Sequence, residues 1–119
     1  AGLQEVSLGD LTIDEPIDSV RERIAALAAR PGAPDGYVSA SGSAAFALVA
    51  GLEAAGLTLG READVVTKQS SKLLRWFRPQ LQLVPEDFRL AGRELAKAVM
   101  SAIDGVEPTL LQTIAKPLG

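Results

Sequence analysis

Short runs of β-branched residues alternate along this chain with longer runs in which apolar residues recur every three or four positions. The first pattern predicts strands at residues 5–9, 37–40, 63–68, 81–84 and 109–114, the last of them at a sheet edge. The second pattern predicts helices at residues 17–30, 44–55, 72–77 and 87–104. Strands that alternate with helices form βαβ units, which join parallel strands. The sequence therefore predicts an α/β fold with a parallel sheet.

Cap and breaker residues mark the ends of the predicted helices. Asp14 and Glu15 form an acidic cap, with Pro16 at or near the first helical position. Gly56 and Gly105 each follow a predicted helix, where a left-handed residue closes the last turn. The longest helix carries one apolar stripe, formed by Phe88, Ala91, Leu95, Ala98, Val99, Ala102 and Ile103. This stripe predicts an amphipathic helix packed on a core.

Composition excludes several classes of function. The chain has 119 residues, which is enough for one domain with a core, and a net charge of −3 without a cluster of basic residues. Such a charge distribution is unsuited to binding nucleic-acid phosphates. The chain has no cysteine and no histidine, so it lacks thiolate chemistry and the usual general base. No apolar run approaches the roughly 20 residues that span a bilayer.

Polar residues follow most of the predicted strands. In an open parallel sheet, ligands bind beyond the carboxyl ends of the strands, where loops lead into helices. The residues at these positions are Asp10, Leu11, Ser41, Gly42, Ser43, Lys68, Gln69, Ser70, Ser71, Glu86 and Asp87. Their many hydrogen-bonding groups favour a ligand rich in hydroxyl groups.

Each of these positions also has a purely structural interpretation. The serines and Asp87 can act as helix N-caps, and Asp10 and Glu86 can be solvated loop carboxylates. The segment 41–43 precedes a helix but lacks the glycine and lysine spacing of a phosphate-binding loop, so it is a weak anion site. Trp76 and Phe77 lie between two arginines, which predicts either an interaction surface or an anchor of the short helix in the core.

Five segments in a fixed order point to a known family. They are PDGYV at 34–38, GLEAAGL at 51–57, DVV at 64–66, FRPQLQLV at 77–84 and DFRLAG at 87–92. In order and spacing they resemble the C-terminal lobe of the effector-binding domain of LacI-type transcription regulators. The resemblance covers essentially the whole chain and implies a parallel-sheet βαβ lobe of the periplasmic-binding-protein-like (type I) fold.

The resemblance also implies a larger protein, of which we interpret residues 1–119 as a fragment. That protein would be cytoplasmic and would act as a homodimer, and it would contact DNA only through an N-terminal helix-turn-helix headpiece. A small effector, a carbohydrate, would bind between this lobe and a second lobe and would change the affinity for the operator. No cofactor, metal ion or membrane is expected.

The strand-end positions and the resemblance together give two sets of candidate residues. The ligand-binding set is Asp10, Leu11, Ser41, Lys68, Gln69, Glu86 and Phe88. The dimer-interface set is Phe46, Val49, Ala50, Leu73, Leu74, Trp76 and Phe77. Gly42 and Gln69 depart from the family, which commonly has Asp at these places. The carboxylate of Asp only accepts hydrogen bonds, whereas the amide of Gln69 both donates and accepts them. The effectors of well-known family members therefore cannot be assigned directly to this chain.

Two alternatives remain. A periplasmic sugar-binding protein would share this fold, although the segment 77–84 fits regulators better. A small α/β enzyme would need Lys68 or a serine as its nucleophile. A serine would then need lysine as its base, and the chain contains no Ser-x-x-Lys motif. We therefore expect the chain not to be an enzyme.

Overall fold

The computed structural model describes residues 16–69 and 71–114, and the chain divides into two compact units, residues 1–83 and 84–119. The first unit contains α1 (Ile17–Ala28), β1 (Gly36–Ser39), α2 (Gly42–Ala54), β2 (Asp64–Gln69) and α3 (Leu73–Phe77). β3 (Gln82–Pro85) spans the boundary between the units. The second unit contains α4 (Phe88–Ile103) and a 3₁₀ helix (Pro108–Leu111).

The strands form a three-stranded parallel sheet in the order β1-β2-β3. β1 and β2 pair from Gly36 opposite Asp64 to Ser39 opposite Thr67. Side chains alternate between the two faces of a strand. Tyr37 and Val65 are accordingly buried on the face that carries α2, whereas Val38 on the other face is 85% exposed.

The core of the first unit lies between α1, α2 and the sheet. The apolar stripe of α1 contributes Val20, Ile24 and Ala28, all of which are buried. α2 is apolar on nearly all sides and packs closely against α1. At Gly51 a β-carbon would lie 2.7 Å from the carbonyl oxygen of Arg21. This position therefore has to be glycine for the two helices to approach so closely.

The ends of α2 and α4 follow the sequence signals closely. Pro16 is the residue before α1 and gives it no side-chain cap, and the predicted caps Asp14 and Glu15 lie outside the described residues. The Asp87 carboxylate accepts a hydrogen bond of 2.8 Å from the backbone N–H of Leu90 and caps α4. Gly56 and Gly105 adopt φ angles of +82° and +87°, the left-handed conformation that closes a helix at little cost for glycine.

The predicted α/β class, the parallel sheet and the four helices are confirmed, with boundaries that shift by only one or two residues. The predicted strand at 5–9 lies outside the described residues. The predicted strand at 109–114 is wrong, because Pro108–Leu111 form a 3₁₀ helix. Pro108 fixes a helical φ there, and Leu110 N–H donates to the Glu107 carbonyl oxygen at 3.0 Å.

The apolar stripe of α4 was predicted correctly as a pattern but not as a buried face. None of the residues of α4 is buried, and Leu95 and Ile103 are 67% and 73% exposed. The first unit thus holds the buried core of the described chain, whereas α4 presents an amphipathic surface.

Candidate functional site

Three of the predicted ligand-binding residues lie at one edge of the sheet. Ser39 of β1 pairs with Thr67 of β2. Ser41 comes two residues after Ser39, and Gln69 comes two residues after Thr67. The strands are parallel and in register, so their carboxyl ends meet at the same edge. Ser41 and Lys68 are exposed and Gln69 is half-buried.

Alternation along β2 separates Lys68 from Gln69. Gln69 belongs to the same face as the buried Val65 and Thr67, whereas Lys68 belongs to the opposite, more exposed face. A ligand on the α2 side of this edge can therefore reach the amide of Gln69 and the hydroxyl of Ser41. Gln69 is the better candidate to act together with Ser41.

Ser41 caps α2 and still keeps hydrogen-bonding capacity. Its Oγ accepts a long hydrogen bond of 3.4 Å from the backbone N–H of Ala44. A hydroxyl has one proton and a second lone pair, so the cap leaves one donor and one acceptor site. The capping and ligand-binding interpretations of Ser41 are thus compatible.

Ser39 is part of this edge and was not among the predicted site residues. Its Oγ donates a hydrogen bond of 2.7 Å to the carbonyl oxygen of Ser41 and accepts one of 3.4 Å from the N–H of Ser41. The only sequence signal for this role is a serine at an inward-facing strand position two residues before a helix cap. That signal is weak, since serine in a strand usually indicates exposure.

A cavity of about 240 Å³ lies beside β1, between α1 and α2. Ser39 and Ser41 border it, but most of its lining is aliphatic, with Val20, Ile24 and Leu48 among the lining residues. The buried hydroxyl of Tyr37, which also lines the cavity, has no hydrogen-bond partner. The pKa of Tyr37 is raised because burial disfavours the phenolate and Asp35 opposes its charge. The lining suits an apolar group better than a polyol.

The other predicted ligand residues lie outside the described residues or in the second unit. Asp10 and Leu11 lie outside the described residues. Glu86 and Phe88 belong to the second unit, in which Glu86 is half-buried and Phe88 is 60% exposed at the start of α4. Ser71, one of the predicted caps, accepts a hydrogen bond of 3.1 Å from the N–H of Leu73.

The predicted dimer surface divides into buried and exposed residues. Val49 and Leu74 are 0% and 1% exposed, so they pack in the core. Their assignment to a dimer interface stays a prediction. Leu73, Trp76 and Phe46 are 69%, 83% and 39% exposed. Ala50 and Phe77 are half-buried.

Phe77 connects α3 to α2 through an aromatic contact. Its ring centroid lies 4.6 Å from that of Phe46, with the rings tilted by 50°. Leu74 and Phe77 therefore anchor the short helix, while Trp76 projects into solvent. We call Phe46, Leu73 and Trp76 the exposed α2–α3 patch.

An ion pair fixes the end of α3 to the end of α2. The Arg78 guanidinium donates to both carboxylate oxygens of Glu53, at 2.8 Å and 3.0 Å, and its Cζ lies 4.5 Å from the centroid of the Phe77 ring. The hydrogen bonds from Arg78 lower the pKa of Glu53. This arrangement holds the chain where it leaves α3.

Within residues 16–69 and 71–114, no cluster of three or more metal-ligating side chains could hold a metal ion. In the same ranges, no helix has the length and apolar content needed to cross a membrane. A scan of protein-family models found none that matches the chain, and a search of curated proteins found no match.

Proposed function

We propose that this chain is the ligand-sensing and dimerisation lobe of a LacI-type transcription regulator and that its effector is a sugar. The observation that carries the proposal is the pairing of β1 with β2 in parallel, which puts Ser41 and Gln69 at the same carboxyl edge. This is the edge at which open α/β sheets bind small ligands.

The chemistry of the edge supports a polyhydroxyl effector. Gln69 offers an amide that donates and accepts, and Ser41 offers a hydroxyl that also does both. Sugar hydroxyl groups need partners of both kinds.

The proposed role couples two surfaces of the first unit. Effector binding at the strand ends would bias the equilibrium between closed and open arrangements of two lobes. The exposed α2–α3 patch would hold two copies together, so that both copies respond as one dimer. A periplasmic sugar-binding protein would need the first surface but not the second.

The test is a titration of the ¹⁵N-labelled 119-residue chain with glucose, maltose and sucrose, followed by amide chemical shifts. One lobe supplies only half of a cleft, so NMR is chosen because it detects millimolar affinities. The expected shifts concentrate at Ser41, Lys68 and Gln69. Gln69→Ala should abolish them, whereas Gln80→Ala, a matched change at an exposed turn of the same unit, should not.

Three results would count against the proposal. The absence of shifts with all three sugars would remove the sugar-sensing role. Shifts that persist in Gln69→Ala would move the site away from the β2 edge. Sugar binding by a chain that stays monomeric at all concentrations would favour the periplasmic sugar-binding alternative.

A further inference from the structure

The last residue pair in the register of β1 and β2 consists of two residues with side-chain hydroxyl groups. Ser39 is 8% exposed and Thr67, its partner in register, is 1% exposed. Apart from the Tyr37 hydroxyl, theirs are the buried polar side chains of the described ranges. Burying a hydroxyl is unfavourable unless it forms hydrogen bonds, so each should have a partner.

The two hydroxyls differ in what they bind. Ser39 Oγ bonds to both the carbonyl and the N–H of Ser41, at 2.7 Å and 3.4 Å. Thr67 Oγ1 only reaches the carbonyl oxygen of Lys68 at 3.5 Å, the limit of a hydrogen bond. The Ser39 side chain thus holds the backbone of Ser41 through two hydrogen bonds. The Thr67 side chain forms no comparable hydrogen bonds with a residue near the sheet edge.

We propose that Ser39 is a positioning residue for the effector site, a role that rests on the proposed function. By fixing the backbone of Ser41 on both sides, Ser39 determines where the Ser41 hydroxyl stands at the sheet edge. Effector affinity depends on donors and acceptors that are already in place before binding. Ser39 therefore contributes to affinity without touching the effector.

The fold does not require the Ser39 hydroxyl. The carbonyl oxygen of Ser41 also accepts a hydrogen bond of 3.0 Å from the N–H of Ala45. Removing the hydroxyl consequently leaves no carbonyl without a partner. Ser39 also borders the cavity beside β1, so the extra methyl group of a threonine has room there.

The experiment compares Ser39→Ala, Ser39→Thr and Thr67→Val with the unchanged chain. Amide hydrogen exchange at Ala44 reports whether the Ser41 hydroxyl stays in its capping position. Titration with glucose, maltose and sucrose reports effector affinity. Ser39→Ala should accelerate exchange at Ala44 and weaken sugar binding, each by about fivefold. Ser39→Thr should restore both values, and Thr67→Val should change neither.

The outcomes separate this inference from the proposed function. If the unchanged chain responds to sugar and Ser39→Ala binds equally well, the positioning role is wrong and the proposed function stands. If Ser39→Thr fails to restore the affinity that Ser39→Ala loses, the effect is one of packing and the positioning role is again wrong. If no sugar perturbs Ser41 or Gln69 in the unchanged chain, the proposed function fails, and the positioning role fails with it.

Discussion

Gly51 lies on the side of α2 that packs against α1. A β-carbon at this position would approach both the carbonyl oxygen of Arg21 and the β-carbon of Ile24 to 2.7 Å. Neither atom can rotate away, since one belongs to the backbone and the other is attached to it. The helix-propensity gain from Gly to Ala, at most about 1 kcal/mol, is therefore smaller than the packing penalty.

Gly51→Ala should accordingly lower the free energy of unfolding by about 1–3 kcal/mol. Urea unfolding followed by circular dichroism measures the change. Gly36→Ala is the matched control, because nothing lies within 4 Å of a β-carbon there and Gly36 does not adopt a left-handed φ. A Gly51→Ala variant as stable as the unchanged chain would mean that α1 and α2 are farther apart than described.

Glu53 makes the stability of the first unit depend on pH. The hydrogen bonds from Arg78 lower its pKa in the folded chain, burial opposes this shift in part, and the positive charge of Arg78 lowers the pKa a little further. A carboxyl group with a lowered folded pKa stabilises the fold above its unfolded pKa. That contribution disappears as the pH falls through the folded pKa.

Glu53→Gln should therefore reduce the urea midpoint at pH 7, and the difference from the unchanged chain should shrink as the pH falls through the range in which Glu53 of the folded chain becomes protonated. The side chains of Arg78 and Glu53 are 37% and 41% exposed, so solvent screening keeps the effect small. Glu22→Gln, a change at an exposed position of α1, serves as the control. A difference that is independent of pH would exclude the ion pair as its cause.

Ser41 caps α2 and is also one of the proposed ligand-binding residues. Replacing it by alanine should lower stability by about 0.5 kcal/mol, near the lower limit for N-caps, because its hydrogen bond of 3.4 Å is long. Ser41→Asp should keep the cap, since aspartate accepts the same hydrogen bond. Ser43→Ala, at an exposed position inside α2, should be neutral. Thermal unfolding of the three variants tests this order.

Comparison of Ser41→Ala with Ser41→Asp also separates capping from ligand binding. Both variants should lose sugar-induced chemical shifts, although only the first loses the cap. If Ser41→Asp were as unstable as Ser41→Ala, the helix end would be held by backbone contacts alone. The capping interpretation would then be wrong.

The sequence predicted elements well where their apolar period was long or their ends were marked chemically. α1, α2 and α4 have at least three turns each, and Ser41, Gly56 and Asp87 mark their boundaries. The segment 109–114 has neither property. Its apolar residues resemble a strand, but Pro108 has a φ that suits a helical turn, and Pro108–Leu111 form a 3₁₀ helix.

Burial was harder to predict for the shortest helix. α3 has five residues, so its apolar positions cannot define one face by periodicity. Leu73, Leu74 and Trp76 are equally apolar in sequence, yet only Leu74 is buried. Which of them faces the core depends on how α3 packs against α2, which the sequence of α3 alone does not contain.

The candidate site was predictable only in part for a related reason. The positions of Ser41 and Gln69 at the ends of β1 and β2 were predictable, because strand ends and capped helices can be recognised from sequence. The link between Ser39 and Ser41 was not predictable, because it is a turn in which a side chain bonds to the backbone two residues later. Such a turn leaves no periodic pattern.

At the scale of the whole chain, the two units should differ in local stability. α2 contributes Ala45, Val49 and Leu52 to the core at 0% exposure, whereas no residue of α4 is buried. A helix of 16 residues that has no buried residue gains little stability from packing and is marginally stable in water. Hydrogen exchange should therefore be at least about a hundredfold faster in α4 than in α2. Equal protection of both helices would show that α4 has a stabilising partner surface.

Association of two copies tests the exposed α2–α3 patch. Leu73 and Trp76 do not belong to the core, so replacing both by serine should leave the thermal midpoint nearly unchanged. If this patch joins two copies, the same double variant should be monomeric at concentrations at which the unchanged chain sediments as a dimer.

Leu74→Ala is the control for a loss of stability, because Leu74 lies between Leu73 and Trp76 in the sequence but is buried. It should lower the free energy of unfolding by about 2–5 kcal/mol through loss of core packing. Sedimentation equilibrium and thermal unfolding of both variants then separate association from folding. Dimers that persist in the Leu73→Ser/Trp76→Ser variant would assign association to another surface. A monomeric unchanged chain would leave the exposed tryptophan without a role in self-association and would argue against a dimeric regulator.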